Sequence, residues 1–393
     1  MQETKIPAGY EDMVGVMRAD HEQILAALAA EGYEVEDYPD LAGQGRPQGA
    51  AAAKAYPIQG VLKYHGMTDW EWRTTYLPSI SFNNDAAYSL TYVAFDGEWT
   101  DDVVVINGEE AGGRDLERVQ QTLDVVRKLG GVKSGARVWS RNIVRATQTG
   151  KGLGTSASAS AAVAMAAVAA MFGEEAAGNN RFVSCLSRLL AGSGCRSAAG
   201  GLSLWVSYPG IAHEDSWAVR LDDRGELDEV QLITVPINSR IGLKTELAHQ
   251  DAPHSPLYKE WMRGRLEETL ELMGAVRAGE WQVMGQLAEL DSIRLHGVTM
   301  SGSRENKIFA WEPENIYLFR MCNELRLAGV PVYFSTDTGP TVVFMTHQDY
   351  TERVVAAIEA LDMGFETIVG RIAGPTVLVD IDEARDVLDI PVM

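Results

Sequence analysis

A glycine-rich loop runs directly into a helix-forming segment at 148–162, QTGKGLGTSASASAA. Gly150, Gly152 and Gly154 let the backbone turn tightly and approach a ligand without Cβ clashes. Lys151 adds a cation, and Thr155, Ser156 and Ser158 add hydroxyls where the helix opens. The first amides of a helix lack internal partners and carry partial positive charge, so this segment suits a phosphate. Its plain structural reading is a surface loop with a serine N-cap. Two other glycine motifs fit less well. The pattern GxxxxGK[ST] is absent, because Lys151 precedes the key glycines. Gly152-x-Gly154-x-x-Ala157 matches a relaxed dinucleotide fingerprint, but polar SRNIVRATQ stands where a buried strand is needed.

Three further segments carry reactive side chains. GVLKYHG places Lys63 and Tyr64 at the end of an apolar strand; a surface lysine at a strand end is the plain alternative. LAGSGCRSAAGG surrounds one long cation, Arg196, with small residues that allow close backbone packing, although a helix-bridging salt link explains it as well. YFSTDTGP sets Asp337 at a strand-to-turn junction, where an aspartate also serves as a turn cap. His65, His254 and His296 lack HxH or HxxxH partners and read as packing or polar-network residues, not metal ligands.

The elements that must position these groups alternate between strand-like and helical patterns. An amphipathic helix is expected over residues 12–32, followed by a Pro- and Gly-rich linker. Strands are expected in AKAYPIQGVLKYHG, SLTYVAF, TDDVVVING, ARVWSRNIV, GGLSLWVSY, SWAVRL and VQLITVPI. Helices are expected at 116–129, 156–172, 180–191, 257–278, 280–296 and 312–328. VPVYFSTD and TVVFMTH then read as strands, and TERVVAAIEAL as a helix. This mixture indicates an α+β fold with helices packed on mainly antiparallel sheets. The expected division is an extension over 1–50, a first domain over 51–232 and a second over 233–393, with the site in the cleft between domains.

Composition narrows the partners. A net charge of −21 without a basic tract argues against nucleic acid. The most apolar stretch, 159–172, is short for a membrane span, and the polar, acidic start is unlike a signal peptide. Three cysteines without CxxC spacing point to a reducing cytoplasm and away from structural zinc.

Together the four segments resemble the GHMP kinase superfamily, and within it the mevalonate diphosphate decarboxylase branch. KYHGMTD resembles that branch's lysine–tyrosine strand, GKGLGTSASASAA its phosphate loop, GSGCRSAAGG its arginine motif and STDTGPTVV its catalytic aspartate motif. INGEEAGGRDLERVQQTLDVVRK, HEDSWAVRL and ELDSIRLHG match more weakly, in the same order. The resemblance spans roughly 52–370. It implies a two-domain GHMP kinase-like fold, an ATP-binding first domain, use of ATP with Mg²⁺, and decarboxylation of a phosphorylated mevalonate after phosphorylation of its 3-hydroxyl. Asp337 would orient that hydroxyl or take its proton. Arg196 would grip the substrate carboxylate, and Lys63 would offset charge on the phosphoryl group in transfer. Gly150, Lys151, Gly152, Gly154, Thr155, Ser156 and Ser158 would cradle the ATP phosphates. Tyr64, Arg118, Ser193 and Gly194 would meet the substrate's phosphate end. A homodimer is the family expectation; the resemblance names no Mg²⁺ ligand.

Two departures bear on the substrate. Where diphosphate-using members read KYWGKRD, this chain has KYHGMTD, so Met67 replaces a lysine, and Ala191 stands where serine is frequent. Both changes favour 5-phosphomevalonate over 5-diphosphomevalonate. A pure kinase of the same fold and a non-enzymatic metabolite-binding protein are the competing classes. The complete Lys63, Arg196 and Asp337 set favours a decarboxylase.

Overall fold

The computed structural model describes residues 9–145, 153–239, 245–305 and 307–391. Among these the strands are β1 (Gly49–Ala55), β2 (Ile58–Leu62), β3 (Ser79–Asn83), β4 (Ala87–Asp96), β5 (Val103–Ile106), β6 (Glu109–Glu110), β7 (Gly135–Val144), β8 (Leu202–Trp205), β9 (Ala218–Arg220), β10 (Val230–Val235), β11 (Val332–Ser335), β12 (Val342–His347), β13 (Ile368–Arg371) and β14 (Val377–Val379). They build a six-stranded sheet in the order β14-β1-β4-β7-β5-β6 and two four-stranded sheets, β2-β3-β8-β9 and β11-β12-β10-β13. All pairings are antiparallel except β5 with β7.

The single strand expected across Lys54 to Gly66 is two strands in two sheets. Pro57 lacks an N–H and ends the first ladder, so β1 and β2 part at Tyr56-Pro57. The expected helix over 257–278 likewise breaks at Gly264 into Tyr258–Arg263 and Arg265–Arg277. β3, SISFN, is short and buried at every position, and so lacks the alternation that marks a half-buried strand.

The helix Thr155–Phe172 lies at the centre of the first core. Its alanines, Ala161 to Ala170, pack against the alanines of β1 and against Val93 and Phe95 of β4. Small faces allow close approach: a Cβ on Gly49 would lie 2.2 Å from the carbonyl oxygen of Ala170. By length and apolar composition this helix could cross a membrane, yet it is mostly buried within the protein and acts as a core helix.

The helix Glu11–Ala30 covers the chain's own core. Met13 and Met17 pack with Tyr76, Tyr258 and Trp261, and Ile24 and Leu28 join the cluster containing Leu272 and Met273. The following segment follows the first core, with Gly43 N, Gly45 N and Arg46 N donating to the carbonyls of Leu129, Gly130 and Met171. The expected boundary at 232/233 falls inside β10, which belongs wholly to the sheet of β11, β12 and β13. The chain's end departs from the expected second domain as well. β14 pairs with β1, and Ala384 and Leu388 of the helix Ile381–Leu388 pack on Leu90 and Tyr92 of the first sheet.

Candidate active site

The C-terminal end of β11 in one sheet meets Gln59 and Gly60 of β2 in another, and this contact brings Lys63 to Asp337. The Lys63 ammonium lies 3.2 Å from Asp337 Oδ1. It also donates to Ser335 Oγ at 2.7 Å and to the carbonyl of Gly60. Ser335 in turn donates to the Gly60 carbonyl at 2.7 Å and accepts from Gln59 Nε2 at 2.9 Å. The amide of Gly60 donates to the Asp337 carboxylate at 3.2 Å. Glycine is required at that point, because a Cβ would come within 2.8 Å of Asp337 Oδ1. Lys63 is only 3% exposed. Burial pushes its ammonium pKa down, and the carboxylates of Asp337 and Asp291 oppose that shift.

Asp291 is a supporting residue that sequence reasoning did not single out. It sits on the buried face of the helix Trp281–Gly302 and has no solvent exposure. It accepts from the backbone N–H of Lys63 at 2.5 Å, from Trp261 Nε1 at 2.5 Å and from Arg265 Nη2 at 3.1 Å. Arg265 also donates to the Lys63 carbonyl at 2.9 Å. Two charged side chains thus clamp the peptide groups on either side of Lys63. The available signal was an aspartate among Leu287, Ala288 and Leu295 on one helix face, since a buried carboxylate needs partners. On the same helix, His296 Nε2 donates to the carbonyl of Asp337 at 2.9 Å, and its ring lies 4.2 Å from that of Trp311.

Arg196 lies on the short helix Gly194–Ala199 and is 2% exposed. Its Nε and Nη1 have no hydrogen-bond partner among the described residues. Its guanidinium stands 5.4 Å from the ring centre of Tyr64, which stacks on His249 at 5.2 Å. Burial lowers its pKa, though an arginine keeps its charge. A buried guanidinium with free donors is costly unless an anion completes it, and its planar fork matches a carboxylate.

Lys63, Tyr64, Arg196 and Asp337 all line one cavity of about 830 Å³. Gly154, Thr155, Ser156 and Ser193 line it too. Gly154 adopts φ +70°, where a Cβ would meet the Ile58 carbonyl oxygen at 2.5 Å, and the helix begins at Thr155. Helix start, hydroxyls and cavity are together suited to a polyphosphate. Gly150, Lys151 and Gly152 lie outside the described residues.

Three expected site residues are not on the wall of this cavity. Ser158 is fully buried, shares a 2.7 Å hydrogen bond with Ser89 Oγ and donates to the Thr155 carbonyl, so it ties the helix to β4. Gly194 is off the cavity wall, and a Cβ there would lie 2.4 Å from the Ser187 carbonyl oxygen, which makes it a packing residue. Arg118 is also off the wall, its Nε donating to the Leu190 carbonyl at 2.9 Å.

Among the described residues no group of three or more His, Cys, Asp or Glu could by itself hold a metal. Mg²⁺ bound through a nucleotide takes few protein ligands and keeps several waters, so this cavity with Asp337, Thr155 and Ser156 is compatible with it.

Residues 55–218 match the model of the diphosphomevalonate decarboxylase-like N-terminal domain. The chain is 35% identical over 85% of its length to phosphomevalonate decarboxylase of Haloferax volcanii, covering 99% of that protein. It is 30% identical to mevalonate 3,5-bisphosphate decarboxylase of Thermoplasma volcanium, over 74% of this chain and 75% of that one. The solved mevalonate diphosphate decarboxylase of Enterococcus faecalis superposes with a TM-score of 0.75 and 25% identity, over 85% of this chain and 99% of that one. A similar structure, at the same score and identity, was solved with MVAPP, AMPPCP and magnesium. The GHMP kinase-like fold, the shared cavity and the near-complete coverage of a 35% identical decarboxylase lead to one assignment: the chain belongs to the diphosphomevalonate decarboxylase-like family and is a decarboxylase of the mevalonate pathway.

Proposed function

We propose that this enzyme converts 5-phosphomevalonate and ATP into isopentenyl phosphate, ADP, phosphate and CO₂. The observation that carries the proposal is the Lys63–Asp337 contact of 3.2 Å in the cavity that also receives the unpartnered nitrogens of Arg196. A kinase needs a group to orient the hydroxyl; a second, buried cation for a carboxylate points to the decarboxylating step. The match to the Haloferax phosphomevalonate decarboxylase supports the monophosphate as substrate.

In this reading Asp337 accepts the proton of the substrate's 3-hydroxyl as that oxygen attacks the γ-phosphorus of ATP and ADP leaves. Lys63 keeps the Asp337 carboxylate in place and offsets charge on the phosphoryl oxygens. The C3–O bond then breaks and phosphate departs. The electrons of the bond to the carboxylate carbon form the new double bond, and CO₂ is released. Arg196 holds the carboxylate in line until that bond breaks. Gly154, Thr155 and Ser156, with Gly150, Lys151 and Gly152, would receive the ATP phosphates. Bound magnesium would neutralise polyphosphate charge. Ser193 and Tyr64 would face the phosphate end. We assign the enzyme to the cytoplasm on its cysteine usage, and as a homodimer on the family expectation.

The test is a panel of mevalonate, 5-phosphomevalonate and 5-diphosphomevalonate with ATP and Mg²⁺. The expected outcome is the highest kcat/KM for 5-phosphomevalonate. A preference for either other substrate overturns the assignment.

A further inference from the structure

We propose that Arg73 is the specificity-determining phosphate ligand of this enzyme, paired with Arg118 on the consecutive carbonyls of Leu189 and Leu190. The proposal rests on the reading of a phosphorylated mevalonate as substrate. Arg73 Nε donates to the Leu189 carbonyl at 2.7 Å, and Arg118 Nε to the Leu190 carbonyl at 2.9 Å. The same backbone segment then leads to Ser193 on the cavity wall. Two guanidinium groups are therefore fixed on consecutive carbonyls of the segment that leads to Ser193, Arg73 by its Nε and Arg118 by its Nε and Nη2.

The position of Arg73 follows from its loop. Met67 pairs with Thr75 in an antiparallel bridge, and the amide and hydroxyl of Thr68 bond the carbonyl and hydroxyl of Thr74. This closed turn brings Arg73 back toward Tyr64. A Cβ on Gly192 would lie 3.1 Å from the Tyr64 hydroxyl and 3.6 Å from the Arg73 carbonyl oxygen. Arg73 adopts φ +51°, a left-handed conformation that few non-glycine residues hold. The bond to Leu189 is the one hydrogen bond its side chain makes among the described residues, so its Nη1 and Nη2 remain for a ligand.

Charge balance supports an anion at this end. Arg114 stands close enough to oppose both Arg73 and Arg118 electrostatically, and it pairs with Glu246. Among the described residues, Glu246 acts on both Arg73 and Arg118, and Asp115 acts on Arg118. Burial and the neighbouring arginines push the Arg118 pKa down to about 10. A dianionic phosphate relieves that repulsion and accepts the free N–H groups in charge-assisted hydrogen bonds. The turn that places an uncharged Met67 in the lysine position thus supplies a cation six residues later. Neither guanidinium forms the cavity wall, so the phosphate reaches past Ser193 to meet them.

The experiment measures KM for 5-phosphomevalonate, KM for ATP and kcat in the full chain, in wild type, Arg73→Asn and Arg73→Gly. Asparagine and glycine tolerate the left-handed backbone. The expected result is a rise of at least tenfold in KM for 5-phosphomevalonate, with kcat and the ATP KM within about threefold of wild type. A smaller rise, or an equal rise for ATP, overturns the proposal. Should both variants be recovered unfolded, Arg73→Lys replaces them. It is expected to raise KM by the same factor, because an ammonium cannot bond the Leu189 carbonyl and a phosphate through one planar fork. Wild type that ignores 5-phosphomevalonate but decarboxylates another phosphorylated mevalonate refutes the substrate assignment alone. The same comparison, run with that substrate, still decides the role of Arg73.

Discussion

Acid should loosen this protein through its buried histidines, and the size of the effect follows from their surroundings. His296 is 2% exposed and donates to the Asp337 carbonyl; burial takes its pKa from the ordinary value of 6.5 down to about 3. His249 is 8% exposed, and burial together with Arg73 takes its pKa to about 4. His65 and His213 shift in the same direction. A group whose folded pKa is depressed binds its proton more readily in the unfolded chain. Its contribution is therefore complete above the unfolded pKa and is lost as pH falls toward the folded one. Each pKa unit is worth about 1.4 kcal/mol. Between pH 7 and pH 5, His296 alone should withdraw about 2 kcal/mol of unfolding free energy. His296→Gln keeps a donor for the Asp337 carbonyl and removes the titration. Urea unfolding at pH 7, 6 and 5, following the same spectroscopic transition in both proteins, measures the pH slope of stability. The variant should lose about 2 kcal/mol less than wild type across that range. Identical slopes would refute the reasoning and mean that His296 titrates in the folded protein near its ordinary value.

Four further outcomes are expected. Asp337→Asn should bind ATP and keep the fold, with kcat reduced at least about 10²-fold; near-normal turnover would make Asp337 a turn residue only. Arg196→Lys should be nearly as damaging as Arg196→Ala in steady-state kinetics, because the planar fork that aligns a carboxylate is lost in both. 5-Phosphomevalonate should exceed 5-diphosphomevalonate in kcat/KM by at least about tenfold, roughly 1.4 kcal/mol. Met67→Lys should narrow that gap by improving the diphosphate, and an unchanged ratio would count against Met67 as its cause.

The sequence was most legible where the chemistry sits in short segments. Lys63, Arg196, Asp337 and the loop ending at Gly154-Thr155-Ser156 were each visible from residue type and neighbours, and the described ones share one cavity. What tertiary packing decides was not visible. The clamp of Asp291 and Arg265 on the Lys63 peptide groups joins residues 228 and 202 positions away. No local pattern encodes such a pairing. Ser158 illustrates the converse: its hydroxyl looked available for a phosphate, yet helical periodicity turns it inward to Ser89. Strand existence was clear for the long runs that became β4 and β7. The split of β1 from β2 was marked by Pro57, whereas β3, β13 and β14 are too short to carry a period. The return of β14 to β1 is a long-range pairing that only the folded chain displays.

The most direct test of the account is the stoichiometry of products from 5-phosphomevalonate with limiting ATP and Mg²⁺. Released CO₂, ADP and inorganic phosphate should appear in a 1:1:1 ratio in wild type, because phosphorylation, departure of phosphate and loss of the carboxylate belong to one reaction. ADP without CO₂ would make the enzyme a kinase. CO₂ without ADP would contradict the role given to Asp337, Lys63 and Arg196 together.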